Sequence, residues 1–259
     1  MHAAAFQELG LEAEYRLIRV PADRPGEVRA ALEALSNTGG GNVTIPHKQT
    51  AAAALDTASE DVQLTGACNC FWADAAGGLQ GDNTDVGGIL AVLQSIQGFQ
   101  PAGASVLVLG AGGAARAAVV AASRAGAHRI EVHNRTADRA VAVIEQLNPV
   151  SRASISLARV PIEPGGYDLV IQATRLGLGP ADPLPLEIGA VPPAHALDLV
   201  YAPGETRWTK HARERGARAL DGLAVLREQG VLSLERWLGR PMPSAVRDAM
   251  WDSLRGPVR

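Results

Sequence analysis

The sequence predicts a two-domain α/β protein, and three observations carry that reading. Short apolar runs alternate with helical patterns along most of the chain. Ser105 to Arg116, Ser-Val-Leu-Val-Leu-Gly-Ala-Gly-Gly-Ala-Ala-Arg, reads as a buried strand, a tight turn and a helix. Gln97 to Ala104, with Gly98, Pro101 and Gly103, reads as the crossing between the two domains.

The strand-turn-helix unit organises the rest. Gly110, Gly112 and Ala115 stand at the spacing G-x-G-x-x-G/A, with Ala111, Gly113 and Ala114 between them. That spacing suits a backbone that bends sharply, admits a diphosphate at a helix N-terminus and presses its helix against a sheet. It predicts a Rossmann-like dinucleotide-binding domain. Arg129 to His133 reads as the next strand and runs into Asn134-Arg135-Thr136, about where an acidic residue would hold the ribose of NAD. No Asp or Glu stands there. Arg135 is suited to a 2′-phosphate and Thr136 adds a hydroxyl, so NADP(H) is the expected cofactor. The plainer alternative makes Thr136 a helix N-cap and Arg135 a solvated loop residue. Arg139, one helical turn on, either thickens this basic clamp or sits in water.

With 259 residues, 47% of them hydrophobic and 20% charged, the chain is long enough for two sizeable cores. A net charge of −3 gives no reason to expect nucleic acid or an anionic membrane as partner. No apolar run approaches a membrane span and the N-terminus lacks a signal-peptide pattern, so a cytoplasmic location is expected. Cys68 and Cys70 are not expected to form a disulfide with each other. His2, His47, His128, His133, His195 and His211 show no ligand spacing, so no metal is expected.

Taken in order, His2 to Leu9 is helical in character, Glu14 to Val20 reads as a strand, and Pro25 to Leu35 reads as a helix with Val28, Leu32 and Leu35 on one face. Asn42 to Ile45 reads as a strand with Asn42 and Thr44 on one face, ended by Pro46. Lys48 opens the next helix, where the macrodipole disfavours a cation; either the lysine is solvated or it has a function. Thr65 to Trp72 reads as a strand with Asn69 a lone polar residue, followed by a hairpin turn at Ala75 to Gly78 and a return strand from Leu79 to Asp82. Asn83-Thr84-Asp85 then opens a helix to about Ile96, where Thr84 or Asp85 can equally serve only as a cap.

Past the glycine turn come a helix from Ala137 to Leu147, a strand near Ile155 to Val160, and a strand from Tyr167 to Thr174 that meets the glycine-broken loop Arg175 to Gly179. Ala196 to Tyr201 reads as a strand, Thr206 to Gly216 as a helix and Ala217 to Leu220 as a short strand. Asp221-Gly222-Leu223 opens a long helix in which Gln229 lies among apolar neighbours.

These segments together resemble the shikimate dehydrogenase family, from His2 to about Pro241. The resemblance is carried by Asn42-Val-Thr-Ile-Pro-His-Lys48, Gly66-Ala-Cys-Asn69, Asn83-Thr-Asp85, Gly110-Ala-Gly-Gly-Ala-Ala-Arg116, Asn134-Arg-Thr136, Gly222-Leu223 and Gln229. It implies an α/β substrate-binding domain, discontinuous over 1–98 and 222–259, around a Rossmann-like domain over 99–221. The implied activity is reversible NADPH-dependent reduction of 3-dehydroshikimate to shikimate in aromatic amino-acid biosynthesis. Quinate or amino-shikimate as substrate, or a weakly active NADPH-binding paralogue, are the alternatives. Lys48 and Asp85 would be the catalytic pair, and Asn42, Thr44, Asn69, Tyr201 and Gln229 would contact the substrate. Asn134, Arg135, Thr136, Thr174 and Gly222 would join the glycine turn in holding the cofactor. A small-molecule substrate is the implied partner, for a monomer or homodimer.

Three departures from the family pattern stand out. The family places a strand and a substrate-carboxylate-binding Ser-x-Ser-Pro segment ahead of the helix that begins here at His2, so an internal start codon is expected. Cys70 stands where a threonine is common after Asn69, and Gln172 and Leu178 stand where Asn and Met are usual.

Overall fold

Apolar runs too short for helices build two sheets, and alanine-rich amphipathic runs cover them. The computed structural model describes residues 1–179, 181–202 and 204–256. The chain forms two compact units, residues 1–88 with 226–259 and residues 89–225.

The first unit begins with α1 (His2–Glu8), α2 (Glu27–Ser36), β1 (Gly41–Asn42), α3 (Lys48–Ala54), β2 (Thr57–Ala58), α4 (Glu60–Thr65), β3 (Cys70–Ala73) and β4 (Leu79–Asp82). α5 (Thr84–Ser95) follows, and the division between the units falls inside it, after Gly88. The four strands order as β1-β3-β4-β2, with β3 antiparallel to both β1 and β4, and β2 parallel to β4. Asp74 makes the hairpin turn, its Oδ1 accepting from the amides of Ala76 and Gly78. Val28 and Leu32 of α2, Ala51 and Ala54 of α3, Val62, Phe71 and Leu79 form one core.

Three expectations for this unit are corrected. Glu14 to Val20 is not a strand: the alternation of Tyr15 and Leu17 slips phase at Ile18, so neither face is consistently apolar, and Leu17 is 96% exposed. The strand expected over Asn42 to Ile45 is confined to Gly41–Asn42, with Thr44 already in a turn whose carbonyl accepts from the His47 amide. The strand expected from Thr65 begins only at Cys70. Thr65 instead closes α4, capped by Ser59 at its start and by Gly66 in the left-handed region at its end.

The second unit carries β5 (Ser105–Leu109), α6 (Gly113–Arg124), β6 (Arg129–His133), α7 (Ala137–Leu147), β7 (Ser154–Leu157), β8 (Leu169–Gln172), β9 (His195–Asp198), α8 (Arg207–Glu214) and β10 (Arg218–Leu220). All neighbours in the order β10-β9-β8-β5-β6-β7 are parallel, the doubly wound arrangement that the βαβ alternation predicts. β7, β8 and β9 end two or three residues before their expected limits; β8 and β9 stop where Gln172 and Asp198 accept from the amides of Thr174 and Val200 in the loops that follow. The central strands are buried on both faces: Leu107, Val108, Leu169, Val170, Ile171 and Leu197 are all fully covered. Ala115, Ala117 and Ala118 of α6 have no exposed surface, and their small side chains allow close packing.

Asp198 ends β9 and is 1% exposed. Its carboxylate accepts from the Val200 amide at 3.0 Å and the Thr206 hydroxyl at 2.7 Å. Burial nonetheless dominates and pushes its pKa up to about 6. Because the folded value is raised, folding is penalised once the carboxylate ionises. Its contribution is most favourable below the ordinary carboxylate range and is lost as pH rises through about 6. Asp198→Asn is therefore expected to gain stability relative to the native chain between pH 4 and pH 7, on the order of 2–3 kcal/mol at most. Thermal melts of both proteins at the two pH values check the sign.

α9 (Leu223–Leu238) crosses the division after Val225, and α10 (Ser244–Arg255) ends the first unit. Ala5 and Phe6 of α1, Val231 and Leu234 of α9, and Val246 and Met250 of α10 form a second core there. Glu228, 7% exposed, joins α9 to α10 through Arg247 at 2.5 Å.

Candidate active site

In the first unit the polar residues singled out in the sequence converge. Lys48, the first residue of α3, donates from Nζ to Asp85 Oδ2 at 2.5 Å. Their side chains are 22% and 16% exposed, enough for the ammonium to meet a small molecule and buried enough to strengthen the pair. Asp85 lies in the first turn of α5, where the helix dipole favours a carboxylate. The same dipole effect opposes Lys48 at its own helix start, and Asp85 offsets that cost.

Asp85 is held from its other oxygen as well. Asn69 Nδ2 donates to Oδ1 at 2.8 Å and to Gln229 Oε1 at 3.3 Å. Asn69 Oδ1 accepts from the Thr84 amide at 2.7 Å and the Thr84 hydroxyl at 3.2 Å. Asn69, 2% exposed, is thus fully committed to protein partners and orients the carboxylate. Gln229 also donates to the Leu226 carbonyl, the local bond expected of a polar residue on an apolar helix.

Asn42 is braced in the same way. Its Nδ2 donates to the Asn69 carbonyl at 3.0 Å and Ser233 Oγ at 2.8 Å, and its Oδ1 accepts from Tyr15 Oη at 3.0 Å. Burial pushes the Tyr15 phenol up to about 12, so it stays a donor. Ser233, fully buried, also lies 3.2 Å from Thr84 Oγ1 and donates to the Gln229 carbonyl. Thr44 is exposed and its hydroxyl makes no hydrogen bond in the described residues. Ser233 and Tyr15 escaped the sequence reading. Ser233 had a signal, four residues beyond Gln229 and so on the same helix face; Tyr15 had none.

In the second unit, Gly110 turns at φ +119°, and a Cβ there would stand 2.9 Å from the Ala173 carbonyl oxygen. Gly112 caps α6 without a side chain, and a Cβ on it would meet nothing within 4 Å. The first amides of α6 therefore have no side-chain cap. Arg116, in the same helix, has a buried Nε with no partner, and burial lowers its pKa. Amides without a side-chain cap at the start of α6, with an unpartnered arginine Nε in the same helix, fit a diphosphate. Gly110→Ala is expected to weaken dinucleotide binding at least about tenfold through backbone displacement, read by calorimetric titration.

Past β6, Asn134 Nδ2 donates to the Thr136 carbonyl at 2.8 Å, while Thr136 occupies the N-cap of α7 without a capping bond. Arg135, Thr136 and Arg139 are exposed. Thr174 follows β8, where buried Gln172 accepts from its amide and donates to the Leu176 carbonyl. Gly222 donates to the Val200 carbonyl, and a Cβ on it would lie 2.5 Å from the Leu199 carbonyl oxygen, so only glycine fits. Tyr201 is 49% exposed. Among the described residues no three His, Cys, Asp or Glu side chains are grouped to hold a metal, and no helix is long and apolar enough to cross a membrane.

Residues 1–71 match the model of the shikimate dehydrogenase substrate binding domain, and residues 92–177 that of shikimate / quinate 5-dehydrogenase. The chain is 40% identical over 255 residues to the NADP(+) shikimate dehydrogenase of Methylobacterium radiotolerans, covering 95% of this chain and 89% of the relative. The chain belongs to the shikimate dehydrogenase family. Solved shikimate dehydrogenase structures share its fold: that of Thermus thermophilus in complex with NADP(H) and shikimate is 35% identical with a TM-score of 0.80, covering 96% of this chain and 91% of that one. The ligand-free 5-ketofructose reductase of a Gluconobacter species is also similar, at 34% identity and a TM-score of 0.80 over 97% of this chain and 91% of that one.

Proposed function

We propose that the chain is an NADP-dependent shikimate dehydrogenase, reversibly reducing 3-dehydroshikimate to shikimate in aromatic amino-acid biosynthesis. The observation that carries this reading is the Lys48–Asp85 pair, with Asp85 fixed from both oxygens and the ammonium partly exposed.

NADPH supplies the hydride when bound; the glycine turn from Gly110 to Ala114, with Asn134, Arg135, Thr136, Arg139, Thr174 and Gly222, would hold it. Lys48 Nζ keeps one proton on Asp85 and has two more to offer. It hydrogen-bonds the substrate carbonyl oxygen and gives that oxygen a proton as negative charge develops. Asp85 keeps the ammonium in position and stays acceptor-only, ready for a substrate hydroxyl. Asn69 and Asn42 act chiefly as braces, while Thr44, Gln229 and Tyr201 remain candidates for substrate contact. The net charge of −3 and the partly exposed Lys48–Asp85 pair support a small-molecule substrate. The reading includes a cytoplasmic location and a monomer or homodimer.

Steady-state reduction by NADPH of 3-dehydroshikimate, 3-dehydroquinate and 5-ketofructose tests it. The expected kcat/KM for 3-dehydroshikimate exceeds the others by at least about tenfold. Preference for either competitor overturns the substrate assignment.

A further inference from the structure

The edge of the parallel sheet beyond β6 holds a cation that the cofactor reading does not use. β6 and β7 run parallel with Val132 opposite Leu157, and the ladder continues one residue further, the Ala158 amide donating to the Val132 carbonyl at 3.0 Å. Arg159 follows at once. It stands one residue past the last ladder bond to β6, whose final residue His133 is followed by Asn134 and Arg135, and adjacent strands lie only about 4.8 Å apart.

Arg135, Arg139 and Arg159 are all exposed, and none has a hydrogen-bond or ion-pair partner among the described residues. Some exposed arginines are paired, as Arg24 is with Glu27, Arg29 with Glu33 and Asp56, and Arg213 with Glu205, while Arg19, Arg175 and Arg240 also have no side-chain partner among the described residues. Arg135 follows the exit of β6, Arg159 the exit of the neighbouring β7, and Arg139 stands in the first turn of α7, so the chain brings three arginines to one end of this sheet edge. Asp138 is the one carboxylate in that turn. α7 begins there with no side-chain cap, which adds unsatisfied amides of the same polarity.

We propose that Arg159 is a specificity-determining residue, joining Arg135 and Arg139 around the 2′-phosphate of NADP(H). The inference rests on the reading that this phosphate lies at the end of β6. A phosphomonoester carries close to two negative charges at neutral pH and offers three acceptor oxygens, more than one guanidinium can satisfy. Arg159 reaches the site from the neighbouring strand, so it enters from a direction that neither Arg135 nor Arg139 occupies in the chain.

Calorimetric titration of the full chain with NADP+, NAD+, 2′-AMP and 5′-AMP tests the assignment in native protein, Arg159→Gln, Arg159→Lys and Arg135→Gln. Arg159→Gln is expected to weaken NADP+ and 2′-AMP about tenfold and to leave NAD+ and 5′-AMP within about twofold. The salt dependence of NADP+ binding should become shallower, and Arg159→Lys should recover part of the loss. Unchanged NADP+ binding, or equal weakening of NADP+ and NAD+, overturns the proposal. If Arg135→Gln is selective and Arg159→Gln is not, the phosphate stays at β6 and Arg159 has no part in it. If neither is selective, the placement of the phosphate at β6 fails together with the proposal.

Discussion

Lys48→Ala is expected to lower kcat for 3-dehydroshikimate reduction by ~10²–10⁴-fold while the KM for 3-dehydroshikimate changes little. The ammonium is the partly exposed end of a network whose other members are committed to one another. Its removal takes away the proton donor and leaves Asp85 without its cation, while Asn69 still holds the carboxylate in place. Stopped-flow and steady-state rates across pH, with thermal melts to confirm folding, measure the effect. A lysine serving only the fold would lower the melting temperature and leave kcat nearly intact.

Asp85→Asn should have the second-largest effect, a loss in kcat on the order of 10²-fold. The carboxylate uses both oxygens, Oδ1 from Asn69 and Oδ2 from Lys48. An amide has one acceptor oxygen, so its NH2 must face either the Asn69 amide or the ammonium, and one donor is left unsatisfied. Lys48 then loses its fixed position, and proton transfer depends steeply on that position. Rates close to native in the Asn variant would mean that the negative charge has no part in orienting the lysine.

Much of the fold is legible because each local signal agrees with its tertiary setting. Val106 to Leu109 is both a short apolar run and a central strand, and Gly110 is both the end of that run and the residue whose Cβ would strike Ala173. Glu14 to Val20 misleads because alternation over so few residues cannot reveal whether a neighbouring strand exists. α4 was hidden by its brevity, since Glu60–Thr65 spans less than two turns. α10 also escaped, although Val246 and Met250 at i and i+4 mark its buried face.

At the site, the resemblance to the shikimate dehydrogenase family pointed to Lys48, Asp85, Asn69 and Gln229, where the residues alone left plainer readings open, and the structure brings the four together. Their division of labour was not legible. Asn42 and Asn69 are polar residues beside a predicted substrate, yet their amide hydrogens and oxygens are taken by Ser233, Tyr15, Thr84 and Asp85. Hydrogen-bond saturation depends on partners far away in sequence, Ser233 lying 191 residues from Asn42. No local pattern reports it.

The most direct measurement is a double-mutant cycle on kcat with Lys48→Ala, Asp85→Asn and the two combined. If Asp85 acts on kcat by holding the ammonium, the double variant is no slower than Lys48→Ala alone, its bond to a substrate hydroxyl being read in KM instead. Losses that simply multiply would contradict this, giving the two side chains separate tasks and removing the pair as the centre of the chemistry.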